Sequence, residues 1–305
     1  MNEKDFRVRL SKRQEKVQSF LCVGLDPDIN EMPDSLKKDL NLSSDSDIAV
    51  STMNWMIKIV DATAPFTSMY KPQIAHWEAL GTAGMSALSM TVRHIKEKYP
   101  DIPVFLDCKR GDIDNTQTKY RVACFEKYGV DGMNFSPYMG KSCMKALYDE
   151  NHPERALVGL CFTSNSDARQ TQNIQLASGD FYWEYIAKCT LGWAEELGPG
   201  ALNNAGLVMA AAYENKDQPG IIHSEHLLSC RKIVGNKFWF LIPGIGKQGG
   251  LLKETIQASF IGYGTIAINE SRSVIFASKG EDFALVAGKV AEKSRNSMRE
   301  ALSEF

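Results

Sequence analysis

The chain has 305 residues, of which 44% are hydrophobic and 24% are charged, and its formal net charge is −2. This is the composition of a folded, enzyme-sized protein, and without an excess of positive charge we expect no nucleic-acid partner. No apolar run approaches the roughly 20 residues that cross a bilayer, and the first residues lack the apolar core of a signal peptide, so we expect no membrane partner and a cytoplasmic location.

Strands and helices are predicted to alternate along the whole chain. The predicted strands are 20–25, 66–70, 102–106, 132–135, 156–162, 206–211, 238–242 and 265–268. The predicted helices include 47–62, 81–98, 113–128, 181–196, 221–233 and 281–303, and a polar loop without an apolar period occupies 165–179. Eight strands without a linker favour an α/β fold of the (β/α)8 TIM-barrel type, as a single domain over 1–305. Periodicity alone leaves an open, doubly wound sheet possible.

A charged cluster follows the third predicted strand. Asp107 and Lys109 are two positions apart, so strand alternation places both side chains on the same side of the chain. A weak surface ion pair would explain such residues in most proteins. In a parallel α/β protein, however, ligands bind at the carboxyl ends of the strands, and this position favours a functional role.

The residues after this pair predict a turn and a helix start. Gly111 is expected to turn the chain, and Asp112 and Asp114 have the chemistry of helix N-cap residues. Thr116 then falls in the first helical turn.

Most of the predicted strands end in polar residues or glycines that would share one barrel mouth. They are Asp26, Lys71, Asp107, Lys109, Ser136, Ser164, Gly244, Gly246, Gln248 and Arg272. Glycines after the seventh strand and an arginine after the eighth are typical of a phosphate site, which uses exposed backbone N–H groups and one guanidinium.

Cysteine and histidine are not expected to take part in the chemistry. Seven cysteines without a Cys-x-x-Cys pair fit neither a disulfide framework nor a zinc site. The side chain of Cys108 should point away from Asp107 and Lys109 and pack between strand and helix. His223 and His226 are interpreted as solvent-facing helix residues.

The charged cluster resembles the signature of the orotidine 5′-monophosphate decarboxylases. The pattern Asp-x-Lys-x-x-Asp-Ile-x-x-Thr is formed here by Asp107, Lys109, Asp112, Ile113 and Thr116. Further segments that resemble this family follow its order, at 23–27, Lys71, 163–165, 243–250 and 271–272.

The resemblance implies decarboxylation of orotidine 5′-monophosphate to UMP and carbon dioxide, the last step of UMP synthesis, without a metal or other cofactor. Lys71, Asp107, Lys109 and Asp112 would form a charged array, with Lys109 as the proton donor. A decarboxylation that leaves a carbanion needs a cation that stabilises the charge and then protonates the carbon, and a lysine can do both.

The resemblance also implies roles for the remaining residues. Asp26 and Lys71 would hold ribose hydroxyls, and Ser164 would bind the pyrimidine. The phosphate would lie against Gly244, Gly246, Gln248, Gly249 and Arg272. The protein would be a homodimer in which Asp112 and Thr116 reach into the neighbouring subunit's site.

Three positions depart from the pattern of the family. Ser136 stands where asparagine is expected, and Lys247 stands where a small residue is expected. Glu270 places an acid two residues before Arg272. The last two could change the affinity for phosphate or reflect a pairing of Lys247 with Glu270.

Two alternative functions remain open. A metal-dependent sugar-phosphate decarboxylase or aldolase of the same superfamily would share magnesium between Asp107 and a carboxylate at the end of the second strand. Lys71 occupies that position, and a cation there opposes metal binding. The other alternative is a catalytically silent nucleotide-binding protein, for which a charged array of this kind would be costly to maintain.

Overall fold

A computed structural model describes residues 2–38, 40–215, 218–245 and 250–304. Eight parallel strands form the sheet: β1 (Leu21–Leu25), β2 (Met69–Pro72), β3 (Phe105–Arg110), β4 (Gly132–Phe135), β5 (Ala156–Phe162), β6 (Gly206–Met209), β7 (Trp239–Ile242) and β8 (Ile266–Glu270). They pair in the order β2-β1-β8-β7-β6-β5-β4-β3. Bridges between Tyr70 and Val104 and between Gln73 and Asp107 connect β2 to β3 and complete the ring. The predicted (β/α)8 barrel is therefore confirmed.

Helices surround the barrel and fill its connections. They are α1 (Phe6–Val17), α2 (Asp34–Lys37), α3 (Asp45–Thr63), α4 (Ile74–Glu78), α5 (Gly81–Lys98), α6 (Asp114–Arg121), α7 (Lys141–Leu147), α8 (Arg169–Gln172), α9 (Tyr182–Leu197), α10 (Pro199–Asn204), α11 (Glu225–Val234), α12 (Leu252–Ser259), α13 (Arg272–Ile275) and α14 (Phe283–Ser303). A π-helical turn over Val122–Lys127 continues α6. None of the described helices combines the length and apolarity needed to cross a bilayer.

The third strand lies further along the chain than predicted. The apolar run 102–106 is buried, but strand pairing covers Phe105–Arg110 and includes the charged cluster itself. β8 likewise continues to Glu270, beyond the predicted end at residue 268. Apolar runs predict burial, whereas backbone pairing continues into polar residues where the barrel opens. Strands β4 and β5 match their predicted bounds.

The predicted N-caps of α6 are wrong. Ile113 occupies the N-cap position, and no side chain caps the helix. Asp112 instead accepts a hydrogen bond from the adjacent N–H of Ile113, at 2.7 Å. Capping requires an extended backbone, whereas Asp114 has a φ of 42° and is the first residue of α6. Thr116 does lie in the first turn of α6.

Helix α1, which the sequence analysis did not predict, packs against the amino-terminal end of the barrel. Its residues Phe6 and Leu10 are fully buried in a cluster with inward-facing barrel residues. The ring of Phe6 stacks on Trp239 at the start of β7, with 5.3 Å between ring centroids. An edge contact of 6.2 Å joins it to Phe105 at the start of β3. Helix α1 thus closes the amino-terminal end of the barrel, and the end formed by the carboxyl ends of the strands stays open.

Candidate active site

A cavity of about 570 Å³ lies at the carboxyl ends of the strands. Residues at the ends of β1, β2, β3, β4 and β8 and in the loops that follow β5 and β7 line it. Seven of the predicted site residues are among them: Asp26, Lys71, Asp107, Lys109, Ser164, Gly244 and Arg272. The prediction that these strand ends share one mouth is confirmed for these residues.

Asp107 is the centre of the charged cluster. Its Oδ2 lies 3.3 Å from Nζ of Lys71, and its Oδ1 lies 2.6 Å from Nζ of Lys109. The two lysines differ in environment, since the Lys71 side chain is 5% exposed and that of Lys109 is 47% exposed. Asp107 and Lys109 lie on one side of the chain, as predicted, and Cys108 is buried.

The charges of this cluster stabilise one another. Burial alone would lower the pKa of Lys71, but the carboxylates of Asp26 and Asp107 outweigh it and hold that pKa above its ordinary value. Burial would raise the pKa of Asp107, but the charges of Lys71 and Lys109 hold it well below its usual range. Lys71 and Asp107 are therefore both charged at neutral pH.

Asp26 presents an unused acceptor at the cavity. Its Oδ1 is buried and has no hydrogen-bond partner among the described residues. A buried carboxylate oxygen without a partner is costly. Because Asp26 lines the cavity beside Lys71, a hydroxyl group of a ligand can supply the missing hydrogen bond.

The residue that β4 contributes to the cavity is Asn134, which the sequence analysis missed. Its Nδ2 donates a 2.7 Å hydrogen bond to Oδ1 of Asp107. Ser136, which was predicted to face the mouth, does not line the cavity. It packs instead against Gly111, where an added Cβ would lie 2.9 Å from Cβ of Ser136. A buried asparagine within an apolar strand was the available signal.

The side of the cavity next to Ser164 is shaped by the loop after β5. Gln172 of α8 accepts a hydrogen bond from the N–H of Thr163 and donates one to its hydroxyl, both at 2.9 Å. These bonds attach the loop to the end of β5, next to Ser164. The predicted polar loop is therefore ordered around the cavity, and Gln172 lines it.

Arg272 and Gly244 lie where the phosphate was expected. Arg272 is exposed at the start of α13 and has no acidic partner among the described residues. Gly244 has a φ of 111°, a conformation that favours glycine. Its carbonyl accepts a 3.0 Å hydrogen bond from Gly250. The other predicted phosphate residues, Gly246, Gln248 and Gly249, and also Lys247, lie outside the described residues.

Glu270 does not interact with Arg272. It is buried, and its Oε2 accepts hydrogen bonds from the hydroxyls of Ser273 at 3.3 Å and Ser294 at 3.0 Å. Ser294 belongs to α14, so this carboxyl group faces the outer helix layer. Burial raises its pKa. The acid therefore leaves the charge of Arg272 available to a ligand.

Asp112 and Thr116, like Ser136, do not line the cavity of their own chain. Asp112 is partly exposed, and Thr116 is exposed on α6.

The prediction that His223 and His226 are solvent-facing helix residues is wrong. His226 is buried, with Nε2 2.8 Å from the carbonyl of Ala210, and His223 belongs to a short hairpin strand rather than a helix.

Comparison with known proteins identifies the family. Residues 19–284 match the model of the orotidine 5′-phosphate decarboxylase / HUMPS family. The chain belongs to this family. The orotidine 5′-phosphate decarboxylase of Phocaeicola vulgatus is 33% identical over 98% of this chain and 99% of its own. That of Parabacteroides distasonis is 34% identical over 96% and 94%. The solved structure of Leishmania donovani OMP decarboxylase has 26% identity and a TM-score of 0.73, and the alignment covers 97% of this chain and 99% of that one.

The name of the matched family joins the orotidine 5′-phosphate decarboxylases to a second group of enzymes. The position of Lys71 therefore bears on whether the site could hold a metal ion. A magnesium ion bound by Asp107 would need to lie close to its carboxylate oxygens. In this chain, the ammonium group of Lys71 already lies 3.3 Å from Oδ2 of Asp107. The geometry thus opposes a shared metal at the ends of β2 and β3.

Proposed function

We propose that this protein decarboxylates orotidine 5′-monophosphate to UMP and carbon dioxide, the final step of pyrimidine nucleotide synthesis, in the cytoplasm and without a metal or other cofactor. The observation that carries the proposal is the Lys71–Asp107–Lys109 array in the cavity. The relatives that share nearly the full length of the chain bear the name of this activity.

The array supplies the chemistry that such a reaction needs. When the carbon–carbon bond to the carboxylate breaks, carbon dioxide leaves and the electron pair stays on the ring carbon. The ammonium group of Lys109 stabilises this negative charge and then transfers a proton to the carbon, forming the new C–H bond. Asp107, at 2.6 Å, orients that ammonium group before the transfer.

The surrounding residues would bind the rest of the nucleotide. Asp26, through its unpaired oxygen, and Lys71 would hold the ribose hydroxyls. Ser164, beside the ordered loop, would contact the pyrimidine. The phosphate would lie between Arg272 and the segment that begins at Gly244, with Gly246, Gln248 and Gly249 as further contacts.

The active unit would be a homodimer. Asp112 and Thr116 lie outside the cavity of their own chain, which fits residues that complete a neighbouring subunit's site. Exposed apolar side chains lie on the loops after β3 and β4, namely Ile113 (50% exposed), Tyr138 (83%) and Met139 (51%). Exposed apolar side chains on neighbouring loops fit a protein–protein interface.

A direct assay tests the function. The purified protein is mixed with orotidine 5′-monophosphate in excess chelator, and the loss of orotate-ring absorbance and the release of carbon dioxide are followed. We expect full turnover. Activity that disappears after exhaustive chelation and returns with magnesium would favour the sugar-phosphate alternative. Tight UMP binding without any turnover would identify a silent nucleotide-binding protein.

A further inference from the structure

The backbone of β3 is irregular where it carries the charged residues. Leu106 pairs with Met133 and Arg110 pairs with Phe135, so three residues of β3 lie opposite one residue of β4. Such a bulge removes backbone hydrogen bonds from the ladder. Within it, Lys109 has a φ of 47°, a conformation that L-residues adopt at a cost. Something in the surrounding structure must hold this backbone in place.

The single opposing residue, Asn134, supplies the missing hydrogen bonds. Its Oδ1 accepts from the N–H of Cys108 at 2.8 Å and from that of Lys109 at 2.7 Å. Its Nδ2 donates to Oδ1 of Asp107 at 2.7 Å. The residue is 1% exposed, so water does not compete for these bonds. One amide group therefore fixes both the bulge and the carboxylate that orients Lys109.

We infer that Asn134 is a positioning residue of the decarboxylation, which sets the Lys109 ammonium group against the reacting carbon without touching the substrate's phosphate or ribose. This inference rests on the proposed function. It predicts that loss of the Asn134 amide lowers kcat much more than nucleotide affinity, because binding relies on residues of other strands while proton transfer depends on the position of Lys109.

The substitution N134D gives a test with a chemical signature. An ionised carboxylate can still accept from the two N–H groups, but it cannot donate to Asp107 and it repels that carboxylate. A protonated carboxyl group can both accept and donate, as the amide does. We expect kcat of N134D to be at least about 100-fold below that of the parent at pH 8. The ratio of its kcat to that of the parent should rise at least about tenfold between pH 8 and pH 5. UMP affinity at pH 8 should change less than about threefold.

Two further variants separate positioning from a general effect on the fold. N134A loses all three hydrogen bonds, so its kcat should fall as far as that of N134D at pH 8 and should not recover at pH 5. Asn204 is the matched control, because it is also fully buried and also bonded through both amide atoms, accepting from the N–H of Arg7 and donating to the carbonyls of Pro153 and Gly200. N204D should lower the melting temperature and leave the ratio of its kcat to that of the parent independent of pH.

A measurement without turnover keeps this inference separate from the proposed function. Amide hydrogen exchange of Cys108 and Lys109 should be slow in the parent and at least about tenfold faster in N134A, with no change in N204D. A parent protein without decarboxylase activity would refute the proposed function, while the exchange experiment would still report on the bulge. A pH-independent kcat ratio for N134D, near-parental kcat in N134A, or unchanged exchange in N134A would overturn the inference.

Discussion

Removal of the Arg272 guanidinium separates phosphate binding from the chemistry. The side chain lines the cavity at the start of α13, while Lys109 lies on β3, three strands away around the barrel. Within the described residues no acid neutralises Arg272, so a phosphate can use its full charge. Two charge-assisted hydrogen bonds of about 1.5–3 kcal/mol each would contribute about 3 kcal/mol at the lower limit.

The expected loss follows from that energy. Arg272→Ala should lower kcat/KM for orotidine 5′-monophosphate by about 100-fold or more, since 1.36 kcal/mol corresponds to tenfold. The slow decarboxylation of orotidine, which lacks the phosphate, should scarcely change, because the phosphate takes no part in breaking the carbon–carbon bond. Both substrates are assayed by absorbance on the parent and on the variant.

Arg299 offers the matched control for this experiment. It is an exposed arginine on α14, outside the cavity, and Arg299→Ala should leave both rates unchanged. If Arg272→Ala reduces the rates on the nucleotide and on the nucleoside by the same factor, Arg272 supports the fold or the pyrimidine site. The assignment of the phosphate site would then be wrong.

Three other predictions concern the charged array. Lys109→Ala should remove at least about three orders of magnitude of kcat while UMP binding weakens far less, and near-normal turnover would mean that the proton comes from another group. Asp112→Ala and Lys109→Ala should each be nearly inactive alone, yet mixed heterodimers should regain up to one working site in two; verified heterodimers without activity would place all the charges in one subunit. Asp107→Asn should lower the free energy of unfolding by about 3 kcal/mol at pH 7 in urea titrations, because it leaves Lys71 buried with fewer partners. The pKa of Asp107 is depressed in the folded protein, so this difference in the free energy of unfolding should persist above the unfolded-state pKa of about 4 and shrink only below it. A difference that shrinks as the pH rises from 5 to 8 would refute that reasoning.

The barrel and most of its mouth could be predicted because both depend on patterns that are local in the sequence. Buried parallel strands are continuous apolar runs, and the residue that ends each run lies at one edge. This placed Asp26, Lys71 and Arg272 at the cavity although they are far apart in the chain.

What could not be predicted depends on how the chain deviates from regular geometry. The bulge in β3 arises from pairing with β4, and no residue of β3 alone announces it. Asn134 acquires its role only through that bulge, whereas Ser136 was predicted to face the mouth because it is the polar residue that follows the predicted strand. The N-caps of α6 failed for the same reason, because the left-handed turn at Asp114 is a property of the whole connection after β3.

The helix at the amino-terminal end of the barrel has a consequence for the order of folding. Arg7, Arg13 and Gln14 of α1 donate side-chain hydrogen bonds to carbonyls that lie 257, 54 and 252 positions further along the chain. These carbonyls, which belong to Gly264, Thr67 and Ile266, come together only when the first and last parts of the barrel have met, so we expect α1 to dock late. Contacts that form after the transition state slow unfolding without accelerating folding. Phe6→Ala should therefore raise the unfolding rate and leave the refolding rate nearly unchanged. In that case α1, at the end of the barrel opposite the cavity, stabilises the folded barrel by slowing its unfolding.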